Sequence, residues 1–449
     1  MDFTEKFREA VRIPTYWPPG ARDDDSAALA PLCRFQEFLA SQFPVFHQKA
    51  ERHALSPFMA AYRLPGESPA GNDAVLIVAH YDVVPAETEK WSVDPFGAEI
   101  NDGFIYGRGA LDMKNILISI MEAAENLCAE GWKPKRDIWL AFGGDEERSG
   151  ILGAMKAAAW FEQRGQRFAW ILDEGTPVAV NQVKGVDLPL ALISIEEKGY
   201  VSFCLAVEQE PGHASRPPKV QAAAVLGKAL CKIAKKSFPF RLSPAAEAFF
   251  REIAPFVPGV RGNVMRHARA LGPLFFRVAA NSPTTAALMR TTVAITRLEG
   301  SAADNVLPSE AKAVINLRLL WPWTVETAMQ FIIKIINDKR VKVSIYGLGT
   351  DPVAACASGG SGPGCCGNGW PEIKLALEEA WPGVPPVPFL MIATTDSRHY
   401  QKLSDSILRF SPYQMDQKEL GGVHGHDERI SLENLRRGLV FYTALLRSL

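Results

Sequence analysis

DIWLAFGGDEE, residues 137–147, joins an apolar run to two glycines and three consecutive acids. Two other stretches share its plan: AVLIVAHYD (Ala74–Asp82) and FAWILDEG (Phe168–Gly175). Short apolar runs of this kind read as strands buried on both faces of a parallel sheet. In an open α/β sheet, ligands bind beyond the carboxyl ends of the strands. His80, Asp82, Glu146, Glu147 and Asp173 are therefore delivered to one rim. A rim so dense in carboxylate calls for a counter-charge, and cations held by oxygen and nitrogen ligands supply it.

Working outward, NILISIMEAAENLCAEG from Asn115 carries apolar residues at helical spacing and stops at Gly131. A second helix is predicted from about Gly150 to Gln163, between the strands at 137–143 and 168–172. Strand, crossover helix, strand is the unit of a parallel sheet. The pattern changes at Lys198. In GYVSFCLAVEQ, Val201, Phe203, Leu205 and Val207 alternate onto one face, as in a half-solvated strand. A helix at about 219–235, strands in RTTVAITRLEG and EAKAVINLRLL, a helix near 324–337 and a strand at VKVSIYGL follow. This βαββαβ order predicts a small α/β sandwich over 197–350. Residues 238–290 within it read as irregular and partly helical. The segment 351–370 is a Gly- and Cys-rich linker, and its Cys365–Cys366 pair lacks the spacing of a zinc site. Alternating helix and strand then resume, so the second unit interrupts the first.

At 449 residues the chain exceeds the size of one core. With 47% hydrophobic and 22% charged residues it has the composition of an ordinary soluble globular protein. A net charge of -1 argues against nucleic acid or an anionic membrane as main partner. No stretch is long and apolar enough to span a bilayer. MDFTEKFREAVRIP lacks the apolar core of a secretion signal, and seven cysteines, an odd number, suit a reducing cytoplasm better than a disulfide framework.

His80 and Asp82 lie two apart at a strand end, so both side chains can point one way, with Asp82 placed to orient the imidazole. Asp112, in YGRGALDMKN, would by itself read as a helix N-cap. Glu146 and Glu147 permit a division of labour in which one binds metal and the other stays free as a base. His424 comes far downstream in GGVHGHDERI.

These motifs in this order, H-x-D (80–82), R-G-x-x-D-M-K (108–114), D-E-E (145–147), D-E-G (173–175) and H-G-x-x-E (424–428), resemble metallopeptidase family 20. That dinuclear zinc family contains glutamate carboxypeptidase, aminoacylase, succinyl-diaminopimelate desuccinylase and vacuolar carboxypeptidase S. EEKGYVSF, PGHASRPP, DNVLP, TDSRHY and HGHDERI resemble its carboxypeptidase S and N-acyl-amino-acid hydrolase branch most. The resemblance implies a zinc-peptidase-like catalytic domain with a mostly parallel sheet over 1–196 and 351–449, interrupted by a ferredoxin-like lid and dimerisation domain over 197–350. It implies two zinc ions, with cobalt or manganese as substitutes. Asp112 would bridge them, His80 and Asp173 completing one metal and Glu147 and His424 the other. Glu146 would be the general base, Asp82 would orient His80, and the Asp112–Met113 peptide is often cis in the family. His213 resembles the histidine that reaches a partner subunit's site to polarise the scissile carbonyl. Asn305 and Arg318 resemble the residues that hold the substrate carboxylate, and Arg398 is a further contact. Two departures stand out: Pro211 replaces a frequent glycine before His213, and Asn115 replaces one after the D-M-K run.

The expected activity is hydrolysis of an amide bond next to a free-carboxylate amino acid by a metal-activated water, in a cytoplasmic homodimer. The substrate would be a small peptide, as for a dipeptidase or carboxypeptidase. The alternatives are an N-acyl amino acid deacylase, whose chemistry is the same, and a silent metal-binding protein on the same fold. Residues 238–290 are the segment expected to line the substrate pocket; Phe249, Phe250, Phe256, Phe275 and Phe276 there suit an apolar acyl channel, though such aromatics are more often simple core.

Overall fold

Ile138–Gly143, Val75–His80 and Trp170–Ala179 lie side by side in parallel at the middle of an eight-stranded sheet. The computed structural model describes the chain except for residues 68–72, 184, 237, 280–281 and 356–366, so Cys365 and Cys366 lie outside the described residues. From one edge the sheet runs Glu51–Ser56, Met59–Leu64, the three central strands, Ile407–Met415, Leu190–Glu197 and Pro386–Met391. Pairing is parallel from Ile138–Gly143 through Ile407–Met415 and again between Leu190–Glu197 and Pro386–Met391. The Glu51–Leu64 hairpin pairs antiparallel at the edge.

Alternation along Val75–His80 explains the layering. Val75, Ile77 and Ala79 join the core under Lys114–Ala129, while Leu76 and Val78 join a second core under Ala154–Gln163. Helices cover both faces, which is why the strand reads as continuously apolar.

Gly199–Glu208, Thr292–Glu299, Glu310–Leu319 and Lys342–Thr350 form a separate antiparallel four-stranded sheet. Val201, Phe203, Leu205 and Val207 share the face predicted from their alternation, packed against Ala222–Lys235 and Val325–Ile336. Those two helices fill that face. The helices between them in sequence, Pro244–Ile253, Val260–Arg266, Ala268–Ala279 and Pro283–Met289, bury their apolar stripes elsewhere. Phe249, Phe250, Ile253 and Leu288 belong to the core of the large sheet, with Phe249 edge-on to Phe389 at 5.1 Å. The insertion in the small unit thus returns to wall the large one. Among the described residues no helix is long and apolar enough to cross a membrane.

Candidate metal centre

The carboxyl ends of the central strands and the loop before Lys114–Ala129 converge with the loop around His424. Asp112 does not cap its helix: the N-cap is Met113, without a side-chain bond, and the Asp112–Met113 peptide is cis. Its carboxylate instead faces two imidazoles. Oδ1 lies 3.0 Å from His80 Nε2 and Oδ2 lies 3.0 Å from His424 Nε2. Two sets of potential ligand atoms result, His80 with Glu146 and Glu174, and Asp112 with Glu147 and His424, each within 4.8 Å of one another. His424 Nε2 is 2.9 Å from Glu147 Oε1, and His80 Nε2 is 3.3 Å from Glu174 Oε1.

Asp173, expected as a ligand, belongs to neither set. Its oxygens accept from the backbone N–H of Glu174 (2.8 Å) and of Ser397 (2.7 Å), and Glu174 presents the carboxylate to His80. The strand does not end at 172 but runs Trp170–Ala179, and its pairing slips between Asp173 opposite Arg409 and Thr176 opposite Phe410. This bulge re-aims the side chain at 174. Gly175 permits it, since a Cβ there would sit 2.4 Å from the Arg409 carbonyl carbon.

Asp82 faces His80, and its carboxylate has further partners. The nearest acceptor to His80 Nδ1 is the carbonyl of residue 82, at 3.0 Å, with the carboxylate at 3.4 Å. The Asp82 oxygens accept from the backbone N–H of Glu146 and Glu147, at 3.1 and 3.0 Å, and so tie two ligand-bearing loops together. Glu428, at the end of the H-G-x-x-E motif, is fully buried. It accepts from Leu111 N at 2.7 Å and pairs with Arg108 at 2.6 Å. Arg108 donates on to the carbonyls of His424 and Gly425. The R-G-x-x-D run and the H-G-x-x-E motif, which hold Arg108 and Glu428, were the sequence signals for this clamp.

From the protein's own charges, the rim is overloaded with acid. Burial, then the charges of Asp112 and Asp173, push Glu174 up to about 8 against the pull of His80. Burial, then Asp396, Glu174 and Glu147, hold Glu146 well above the ordinary carboxylate range despite His80. Hydrogen bonds to Asp112 and Glu147 raise His424 to about 10. His80 is raised as well, because Glu174 and Asp112 outweigh its burial. Crowded buried carboxylates with imidazoles between them, all oxygen and nitrogen donors, fit divalent cations. A bound ion must displace the imidazole protons. Metal affinity is therefore expected to fall as pH drops, by roughly tenfold per unit for each imidazole deprotonated. Chelator competition between about pH 8 and about pH 6 measures it, and a flat profile contradicts the imidazole ligands.

The ligand sets open into a cavity of about 1060 Å³. Arg318 lines it, its guanidinium 4.8 Å from the centre of the Tyr200 ring. Arg398 lines it too, with Nη1 3.6 Å from Glu146 Oε1. His213 and Asn305 do not line it. Both are exposed at a two-stranded ribbon, Gly212–His213 against Val306–Leu307, where Ala214 N donates to the Asn305 carbonyl.

A mostly parallel sheet with two O/N ligand sets and a carboxyl-rich cavity at its carboxyl rim is the plan of a metal-dependent hydrolase. The chain belongs to peptidase family M20/M25/M40, whose model matches residues 76–448. It is 32% identical over 447 residues to the N-fatty-acyl-amino acid synthase/hydrolase PM20D1 of Xenopus tropicalis, covering 99% of this chain and 85% of that protein. It is 31% identical over 421 residues to the probable carboxypeptidase S-like 2 of Dictyostelium discoideum, covering 92% and 79%. The fold matches the M20 family metallo-carboxypeptidase Sso-CP2 of Sulfolobus solfataricus with a TM-score of 0.72 at 16% identity, over 100% of this chain and 99% of that one. The protein is a metal-dependent hydrolase of amide bonds.

Proposed function

We propose that the enzyme binds two zinc ions and hydrolyses N-acyl amino acids with an apolar acyl group, giving a free amino acid and a carboxylic acid. The observation that carries this reading is the wall of the cavity. Phe249, Phe250, Ile253, Met265, Leu288 and Phe389 line it, while Arg318 and Arg398 line it as its cations. One pocket thus offers an apolar surface for an acyl chain and a guanidinium for a carboxylate. PM20D1 carries an N-fatty-acyl-amino acid hydrolase name, in keeping with that pairing.

His80, Asp112, Glu147, Glu174 and His424 would hold the ions, the Asp112 carboxylate having one oxygen toward each imidazole. When bound, the ions supply Lewis-acid polarisation of the amide carbonyl and of the attacking water. Glu146 is left over as the general base. It takes a proton from the water and passes it to the leaving amine, for which a carboxyl raised toward neutrality is suited. Arg318, seated against Tyr200, holds the substrate carboxylate, and Arg398 adds a second positive charge beside Glu146. The small sheet and its two helices act as a lid. His213 and Asn305 complete the neighbouring subunit's site in a homodimer, a role in keeping with their exposure outside their own chain's cavity. Free Cys33, Cys128, Cys204 and Cys231 suit a reducing cytoplasm.

Arg318→Met is expected to raise KM about 10- to 100-fold with a smaller change in kcat, because a charge-assisted contact formed in the bound substrate is lost. The substrate class is tested on metal-loaded protein with matched N-acyl amino acids and dipeptides. Higher kcat/KM for long-chain acyl amino acids is expected; turnover confined to dipeptides would overturn it in favour of a dipeptidase.

A further inference from the structure

Residues 10–23 cross the ligand rim as a strap, and they touch three of the segments that carry ligand atoms, those at His80, Asp112 and Glu146–Glu147. Thr15 Oγ1 donates to the carbonyl of Tyr81, and Val83 N donates back to the Thr15 carbonyl at 3.2 Å, gripping the H-x-D loop. Lys114 Nζ donates to the carbonyls of Ala10 (3.1 Å) and Ile13 (2.7 Å), two residues beyond Asp112. Trp17 Nε1 donates to the Gly144 carbonyl at 2.7 Å. The Arg148 guanidinium lies 4.5 Å over the Trp17 ring and pairs with Asp23 at 3.0 Å, so the strap holds both sides of Glu146–Glu147. Thr15 and Lys114 are fully buried and Trp17 is 6% exposed, so the bonds those three side chains make do not compete with bulk water. The three loops come from separate parts of the chain, and a metal site needs them fixed to about half an ångström. The family match begins at residue 76, downstream of the strap.

We propose that the strap presets the spacing of the ligand loops, with Trp17 and Lys114 as positioning residues for metal retention. This rests on the metal reading of the two ligand sets. Trp17→Phe keeps a ring between Phe58 and Arg148 and deletes one N–H; Lys114→Met keeps the aliphatic stem and deletes the ammonium. Thr15→Val, which deletes one hydroxyl, stands in if either fails to fold. For each protein, bound zinc is counted by mass spectrometry, zinc release into a chromogenic chelator is timed, and the melting temperature of the zinc-free form is recorded. The variants are expected to release zinc about tenfold faster than wild type, as loss of supporting partners does at metal sites. Their zinc-free melting temperature is expected to stay unchanged, and Trp160→Phe, away from the strap, to release zinc at the wild-type rate. Wild-type release rates in the strap variants, or faster release matched by a lower zinc-free melting temperature, overturn the proposal. A wild-type protein that takes up no zinc overturns the metal reading itself.

Discussion

Glu146→Gln is expected to lower kcat by about 10³-fold while leaving the metal content intact. The amide keeps the size and polarity of the carboxylate, so the packing around residues 145–149 has no reason to change. It cannot accept the proton that the attacking water must lose. Because Glu146 Oε1 sits 3.6 Å from Arg398, a second consequence follows. Removing the negative charge frees Arg398 to engage an anionic substrate, so KM should not rise. A fall in kcat with constant KM and a full metal complement marks a group used in the transition state alone. Elemental analysis beside steady-state kinetics makes the distinction. Loss of metal together with activity would instead make Glu146 a ligand, and full activity would end its role as base.

The sheet and its two covered faces were legible because buried parallel strands and amphipathic helices write their periods into the sequence. Lys114–Ala129 falls within a residue of its expected bounds, and the six elements of the expected βαββαβ order occur in the small unit in that order, with two short strands and four further α-helices among them. The edge hairpin Glu51–Leu64 was missed, its first strand being largely exposed and polar. Asp173 lies outside both ligand sets for a specific reason. Periodicity gives the face of a residue only while the register holds, and a bulge breaks it. The signal was Gly175, a glycine inside a strand pattern, which commonly marks a bulge or a close backbone approach. Helices 244–289 were placed with the small unit by their position in the chain. Which core accepts them depends on which apolar face is still uncovered, and that is a property of the assembled fold. Asp82 shows a related limit: its carboxylate lies near His80, at 3.4 Å, but its bonds to backbone N–H groups 64 and 65 residues away are not written in the local sequence.

Lengthening the acyl chain of an N-acyl amino acid is expected to raise kcat/KM steadily. Each methylene moved from water onto an apolar wall contributes about 0.8 kcal/mol, or roughly a fourfold gain. Six methylenes, from acetyl to octanoyl, then give about three and a half orders of magnitude before the cavity fills. The gain should lie mostly in KM, because contacts remote from the scissile bond are made equally in ground and transition states. Met265 offers the means to test the wall itself. It lines the cavity and is only partly buried, so Met265→Trp fills space along the acyl path without overpacking a closed core. The variant should cut kcat/KM for octanoyl substrates about tenfold or more while sparing the acetyl substrate, whose chain stops short of the wall. The same substitution leaves Arg318 untouched, so affinity for the free amino acid product should hold. A kcat/KM independent of chain length, or a Met265→Trp effect equal for acetyl and octanoyl substrates, would place the acyl group elsewhere and return the cavity wall to a purely structural role.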